Sequence, residues 1–219
     1  MATATPGSRI RTSSIGAKHI VWIVFGLMSI LVILRRELAL LDPNSFLRQR
    51  YAPIPLLMAL HGIPGAVALV LGVFQFSDRL RRRFLQLHRV LGRIYVGCVI
   101  ISAPLAVMVA LVLPIPTLLP ASTTQAVGWI LCTGTALYCV RTGRIQQHRE
   151  WMIRGYPFAM VFVVVRAIGM IPAIERMGLI GIETTVWSCI AAACMLPSFV
   201  IAWQALSASR RPVKVRAVA

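Results

Sequence analysis

The chain has 219 residues, 58% of them hydrophobic and only 13% charged, with a mean hydropathy of +0.79. An ordinary soluble domain carries roughly 25% charged residues, so this composition excludes a soluble globular protein and points to the lipid bilayer. The formal net charge of +17 would suit nucleic acid or a membrane surface, and the placement of the basic residues decides between them.

Apolar stretches near the ~20 residues that cross a bilayer recur at 19–34, 54–76, 92–113, 121–140, 156–174 and 185–206. They predict an all-α, polytopic transmembrane bundle of about six spans at 19–206, with basic tails at 1–18 and 207–219. Lipid offers no partners for backbone polar groups and the spans lack period-two alternation, so helices rather than a barrel are required. The first span follows Arg9, Arg11 and Lys18 as a signal peptide would. Arg35, Arg36 and Glu37 then occupy the place of a small-residue cleavage site, which makes it an uncleaved anchor.

In span two, "HGIPGAVALVLG" pairs Gly62 with Ala66 and Ala68 with Gly72 at a spacing that permits close helix approach, and Pro64 follows His61. Pro104 in span three and Pro197 in span six are expected to bend their helices, whereas Pro157 reads as the first-turn proline of span five. Cys98, Cys132, Cys139, Cys189 and Cys194 all fall inside spans without a Cys-x-x-Cys pair and read as small buried hydrophobes.

With the N-terminus in the cytoplasm, 17 of the 23 basic residues lie on the cytoplasmic side. They comprise Arg9, Arg11 and Lys18; Arg79, Arg81, Arg82, Arg83, Arg89 and Arg93; Arg141, Arg144, Arg149 and Arg154; and Arg210, Arg211, Lys214 and Arg216. This bias predicts a membrane protein with both termini cytoplasmic. Runs such as "DRLRRRFLQLHR" adjoin spans and match anionic lipid headgroups at about 1 kcal/mol per basic residue. The expected partners are therefore the bilayer and its anionic headgroups, and not nucleic acid.

Two segments echo each other. "LHRVLGRIY" precedes span three and "QHREWMIRGY" precedes span five, so His88, Arg89, Arg93 and Tyr95 match His148, Arg149, Arg154 and Tyr156 with one extra residue in the second copy. The match predicts an internal repeat of two parallel helical hairpins, spans two and three and spans four and five. These segments, with "HGIPGAVALVLGVFQFSDRLRRR" and the arginine within "VFVVVRAIGM", resemble the bacterial membrane-protein family designated DUF2306 over roughly residues 57–170. The resemblance implies a multi-span membrane protein with recurrent polar residues at His61, His88, Arg89, Gly92, Arg93, His148, Arg149, Trp151, Met152, Arg154, Tyr156 and Arg166. It implies no activity.

His61 and Arg166 are ionisable groups within spans, where burial costs at least about 2.5 to 3.5 kcal/mol. At 1.5 Å per residue each lies about 10 to 12 Å from the external face, so the two share a depth. No Asp or Glu falls inside a span. The functional expectation is a polar site in the outer half of the bundle, with Arg166 clamping an anionic or carbonyl oxygen and His61 as proton carrier or ligand. The structural alternative is that both make interhelical hydrogen bonds. His88 and His148, at the cytoplasmic starts of two spans, are candidate axial ligands for a b-type haem, with Arg89, Arg93, Arg149 and Arg154 near its propionates. The competing reading places those arginines among headgroups, Trp151, Tyr95 and Tyr156 in an aromatic belt, and Glu150 as partial charge compensation. No hydrolytic triad, nucleotide loop, zinc-ligand spacing or paired carboxylates occurs. Two classes stay open: a haem, redox or small-molecule-binding membrane protein, and a non-catalytic transporter or lipid-interacting scaffold.

Overall fold

The computed structural model describes residues 17–37, 42–113 and 117–209. The tail arginines and lysines at 1–16 and 210–219 lie outside the described residues. Helix α1 (Ala17–Val32) runs into a π-helical turn, Ile33–Glu37, and α2 (Phe46–Tyr51) precedes α3 (Pro55–Gln75). Then follow α4 (Asp78–Arg83), α5 (Leu85–Val112), α6 (Leu118–Arg141), α7 (Ile145–Ile168), α8 (Pro172–Arg176) and α9 (Gly178–Ser209). No strand occurs among the described residues.

Local chemistry sets the helix ends. Pro55 opens α3 with its φ already suited to a helix. The Ser77 hydroxyl caps α4 by accepting from the Leu80 amide at 3.3 Å, and Asp78 in the first turn and Arg81–Arg83 in the last complement the helix dipole. Gly143, at φ +75°, closes α6. Its amide bonds to Val140 O at 3.3 Å and the next amide, Arg144 N, bonds to Cys139 O at 2.8 Å, the paired pattern of a glycine-terminated helix. Three residues thus suffice to reverse the chain from α6 into α7.

Four helices form a ring. α3 packs most extensively on α5, α5 on α6 and α6 on α7, and α3 closes the ring against α7. α9 lies against α7, and α1 covers α7 from another side. The core draws Val99 and Ala103 from α5, Trp129 and Cys132 from α6, and Phe158 and Ala159 from α7. Glycines make seats for rings from α7: a Cβ on Gly128 would stand 2.6 Å from the Phe158 ring, and one on Gly72 would overlap the ring of Tyr156. Gly72 therefore admits a side chain rather than a neighbouring backbone. Gly62 has open space around it and Ala66 is exposed, so that pair does not mark a helix contact.

The outer faces are apolar. Trp203 is 72% exposed, Leu56 69% and Phe199 68%, a surface that lipid rather than water would cover. Among the described residues four helices are long and apolar enough to cross a membrane: Pro55–Gln75, Leu85–Val112, Ile145–Ile168 and Gly178–Ser207. The apolar stretch Trp22–Arg35, from α1 into the π-helical turn, is shorter. α6 has 24 residues, but Ser122, Thr123, Thr124, Gln125, Thr133 and Thr135 dilute its hydropathy. The hydroxyls of Thr123, Thr124 and Thr135 donate to carbonyls one turn back at 2.7–2.8 Å, which discharges them without water.

Pro157 lies well inside α7, not in its first turn. The polar stretch 145–155 is itself helical and supplies the first three turns, so the proline removes an interior helix bond rather than starting the helix.

Candidate functional site

His61, the seventh residue of α3, and Ser102 of α5 hold each other. The imidazole Nδ1 is 2.9 Å from the Ser102 carbonyl oxygen, which only accepts, so Nδ1 carries the proton and donates. The Ser102 hydroxyl donates to the His61 carbonyl at 2.9 Å and lies 3.2 Å from the same Nδ1. Ser102 is fully buried. Gly65 lets the helices meet there, because a Cβ at that position would stand 3.0 Å from the Ser102 hydroxyl. Fixing Nδ1–H leaves Nε2 of the neutral ring as an acceptor.

Arg166 approaches the same region from α7. Its guanidinium carbon lies 3.6 Å from the centroid of the Phe162 ring, a cation–π stack. Both side chains are half-buried. His61 and Arg166 thus sit on two helices, α3 and α7, that pack against each other.

The His-Arg segments sit at the opposite end. His88 and His148 each occupy the fourth position of a helix, and their amides bond to the N-cap carbonyls of Phe84 and Arg144 at 3.0 and 2.9 Å. Arg89, Arg93 and Arg149 are exposed. Arg154 lies 3.8 Å from Glu150 and 5.1 Å from the Trp151 ring centroid, so Glu150 does offset one local charge. Tyr95 and Tyr156 are not belt residues: both are buried, at 1% and 3% exposure. The Tyr95 hydroxyl accepts from Trp129 Nε1 at 3.0 Å and that of Tyr156 donates to the Leu69 carbonyl at 2.8 Å. Tyr156 also meets Trp22 of α1 and Phe76, with ring centroids 5.8 and 5.4 Å away. Lying two turns and more inside their helices, the tyrosines reach the bundle axis instead of the headgroups.

The histidines there are unequal. His148 Nδ1–H donates to the Ala136 carbonyl at 2.8 Å, whereas His88 Nδ1 is buried without a partner among the described residues, as is Gln75 Nε2. No histidine lines the cavity of about 200 Å³ beside Ile168, Met177 and Thr185 or that of about 350 Å³ beside Ala66 and Val70. No group of three or more His, Cys, Asp or Glu is gathered as a metal site among the described residues.

Ser102, Gln75, Trp129 and Gln125 belong to this polar interior, yet sequence reading passed them over. The signal for Ser102 was a single hydroxyl in the apolar run "VIISAPLAV". Gln125, whose amide donates to Phe158 O at 2.8 Å, carried a similar one inside α6.

A family model described as a predicted membrane protein, DUF2306, matches residues 58–206, well over half of the chain. No curated protein and no solved structure matches.

Proposed function

Because the chain belongs to the DUF2306 family of predicted membrane proteins, we propose that it acts within the bilayer as a binding protein for an apolar molecule bearing a carboxylate or carbonyl oxygen. The site is His61 with Arg166. The supporting observation is the fixed His61 ring, whose Nδ1–H is committed to Ser102, on a helix that packs against α7, which carries Arg166. Arg166 supplies planar donors for the ligand oxygen, and Nε2 of His61 accepts from a protonated oxygen. Photolabelling with a diazirine-bearing oleate and a short-chain naphthoquinone tests this. Label should map to peptides carrying His61, Ser102 or Arg166 and be lost in Arg166→Gln. Label spread evenly over lipid-facing α9 would refute it.

A second reading keeps one supporting feature. His148, with Nδ1–H tied to a backbone carbonyl, has the orientation of an imidazole whose Nε2 binds a metal. His88 lacks that tie, so a b-type haem between them is the weaker reading. A reduced-minus-oxidised absorption spectrum of protein from haem-supplied cells decides it, since a b-type band must vanish in both His88→Ala and His148→Ala.

For topology, the proposal is six spans, with α1 and α6 joining the four longer helices, in a bacterial inner membrane with both termini cytoplasmic. The internal hydroxyl bonds of α6 support its burial in lipid. The equal helix positions of His88 and His148, in the hairpins α3–α5 and α6–α7, support a duplicated hairpin.

A further inference from the structure

The end of the bundle where α5 and α7 begin gathers unpartnered polar atoms. Gln75 Nε2 and His88 Nδ1 are buried there with no hydrogen-bond partner among the described residues, a state that native structures avoid unless something else completes it. The two groups share a location. The Gln75 carboxamide oxygen lies 3.2 Å from where a Cβ on Gly92 would stand, and Gly92 is one turn beyond His88 on the same face of α5. Arg89 follows His88 on α5, and Arg81 stands in the last turn of α4, which packs against α5. The acids nearby are already engaged: Asp78 accepts from Arg81 at 2.8 Å, and Glu150 lies 3.8 Å from Arg154. Helices α5 and α7 also start here, which adds their free amide dipoles.

We propose that this mouth binds a phosphate group, with the Gln75 amide and the His88 imidazole as donors and Arg89 as charge partner. Gly92 admits the Gln75 side chain and so builds the site. The phosphate comes from an anionic lipid headgroup or from free phosphate. This site lies at the other end of the bundle from His61 and Arg166 and stands independently of that assignment.

The test uses the full chain in a phosphate-free maltoside detergent and follows thermal unfolding against three probes: dioleoylphosphatidylglycerol, inorganic phosphate and the phosphate-free lipid monogalactosyldiacylglycerol. The wild type should gain thermal stability with phosphatidylglycerol and not with the galactolipid. A gain with inorganic phosphate as well assigns the site to free phosphate, and a gain with the lipid alone assigns it to a headgroup. The double variant Gln75→Met, His88→Phe keeps the volume and should weaken apparent affinity at least tenfold, while Arg82→Gln, exposed on α4, should not. Gln75→Glu, which places a carboxylate in the mouth, must abolish the gain even if the double variant fails to fold. No gain in the wild type with either phosphate probe, or an undiminished gain in Gln75→Glu, overturns the proposal.

Discussion

Replacing Gly72 with alanine puts the packing of α7 on α3 to a direct test. In an open helix position, alanine is favoured over glycine by about 1 kcal/mol. At Gly72 the new Cβ would overlap the ring of Tyr156, whose hydroxyl is bonded to Leu69 O at 2.8 Å. Overpacking of this kind costs about 1–3 kcal/mol, and displacing the ring forfeits a hydrogen bond worth about 1 kcal/mol. The net expectation is a loss of about 1–3 kcal/mol, opposite in sign to the propensity effect. Gly62 is the control on the same helix: with nothing within 4 Å of its Cβ position, Gly62→Ala should be neutral or stabilising by up to about 1 kcal/mol. Reversible unfolding in mixed micelles, followed by tryptophan fluorescence, measures both. In Tyr156→Ala the ring is gone, so adding Gly72→Ala should cost far less than it does in the wild type. Equal effects of Gly72→Ala and Gly62→Ala, or strict additivity with Tyr156→Ala, would refute the ring-seat reasoning.

Other expectations follow from the same geometry. Gly143→Ala should lose about 1 kcal/mol, because Gly143 adopts φ +75° in the turn between α6 and α7, and the same unfolding assay reads it. Ser102→Ala should cost about 0.6–1.5 kcal/mol, the range for hydrogen bonds between membrane helices, since the hydroxyl joins α5 to the His61 carbonyl; no loss would show that the pair does not hold the helices. A reporter fused after Ala219 should behave as cytoplasmic, and an external signal would contradict six spans or their direction.

Sequence made the helical class and the membrane setting legible because both depend on averages over ~20 residues, which hydropathy captures. Tyr95 and Tyr156 were misjudged because aromatic residues near an apolar boundary fit a belt or a core equally well. What separates the two is where the helix starts, and α7 begins eleven residues before Tyr156. Pro157 was misplaced for the same reason: helix outlasts hydrophobicity wherever polar residues such as Gln146, Glu150 and Arg154 keep good helix propensity. Ser102 and Gln75 escaped notice because their roles depend on which residue of another helix lies opposite, at His61 and Gly92, and one strand of sequence does not carry that register.

The most direct measurement is the dissociation constant of a fluorescent oleate analogue for the purified protein in nanodiscs, compared between wild type, Arg166→Lys and Arg166→Gln. A clamp that uses the planar guanidinium loses one or two charge-assisted hydrogen bonds, each worth about 1.5–3 kcal/mol. Both variants should then bind at least about tenfold more weakly. Equal affinity in all three would contradict a ligand site at Arg166 and leave its stacking on Phe162 as a packing interaction.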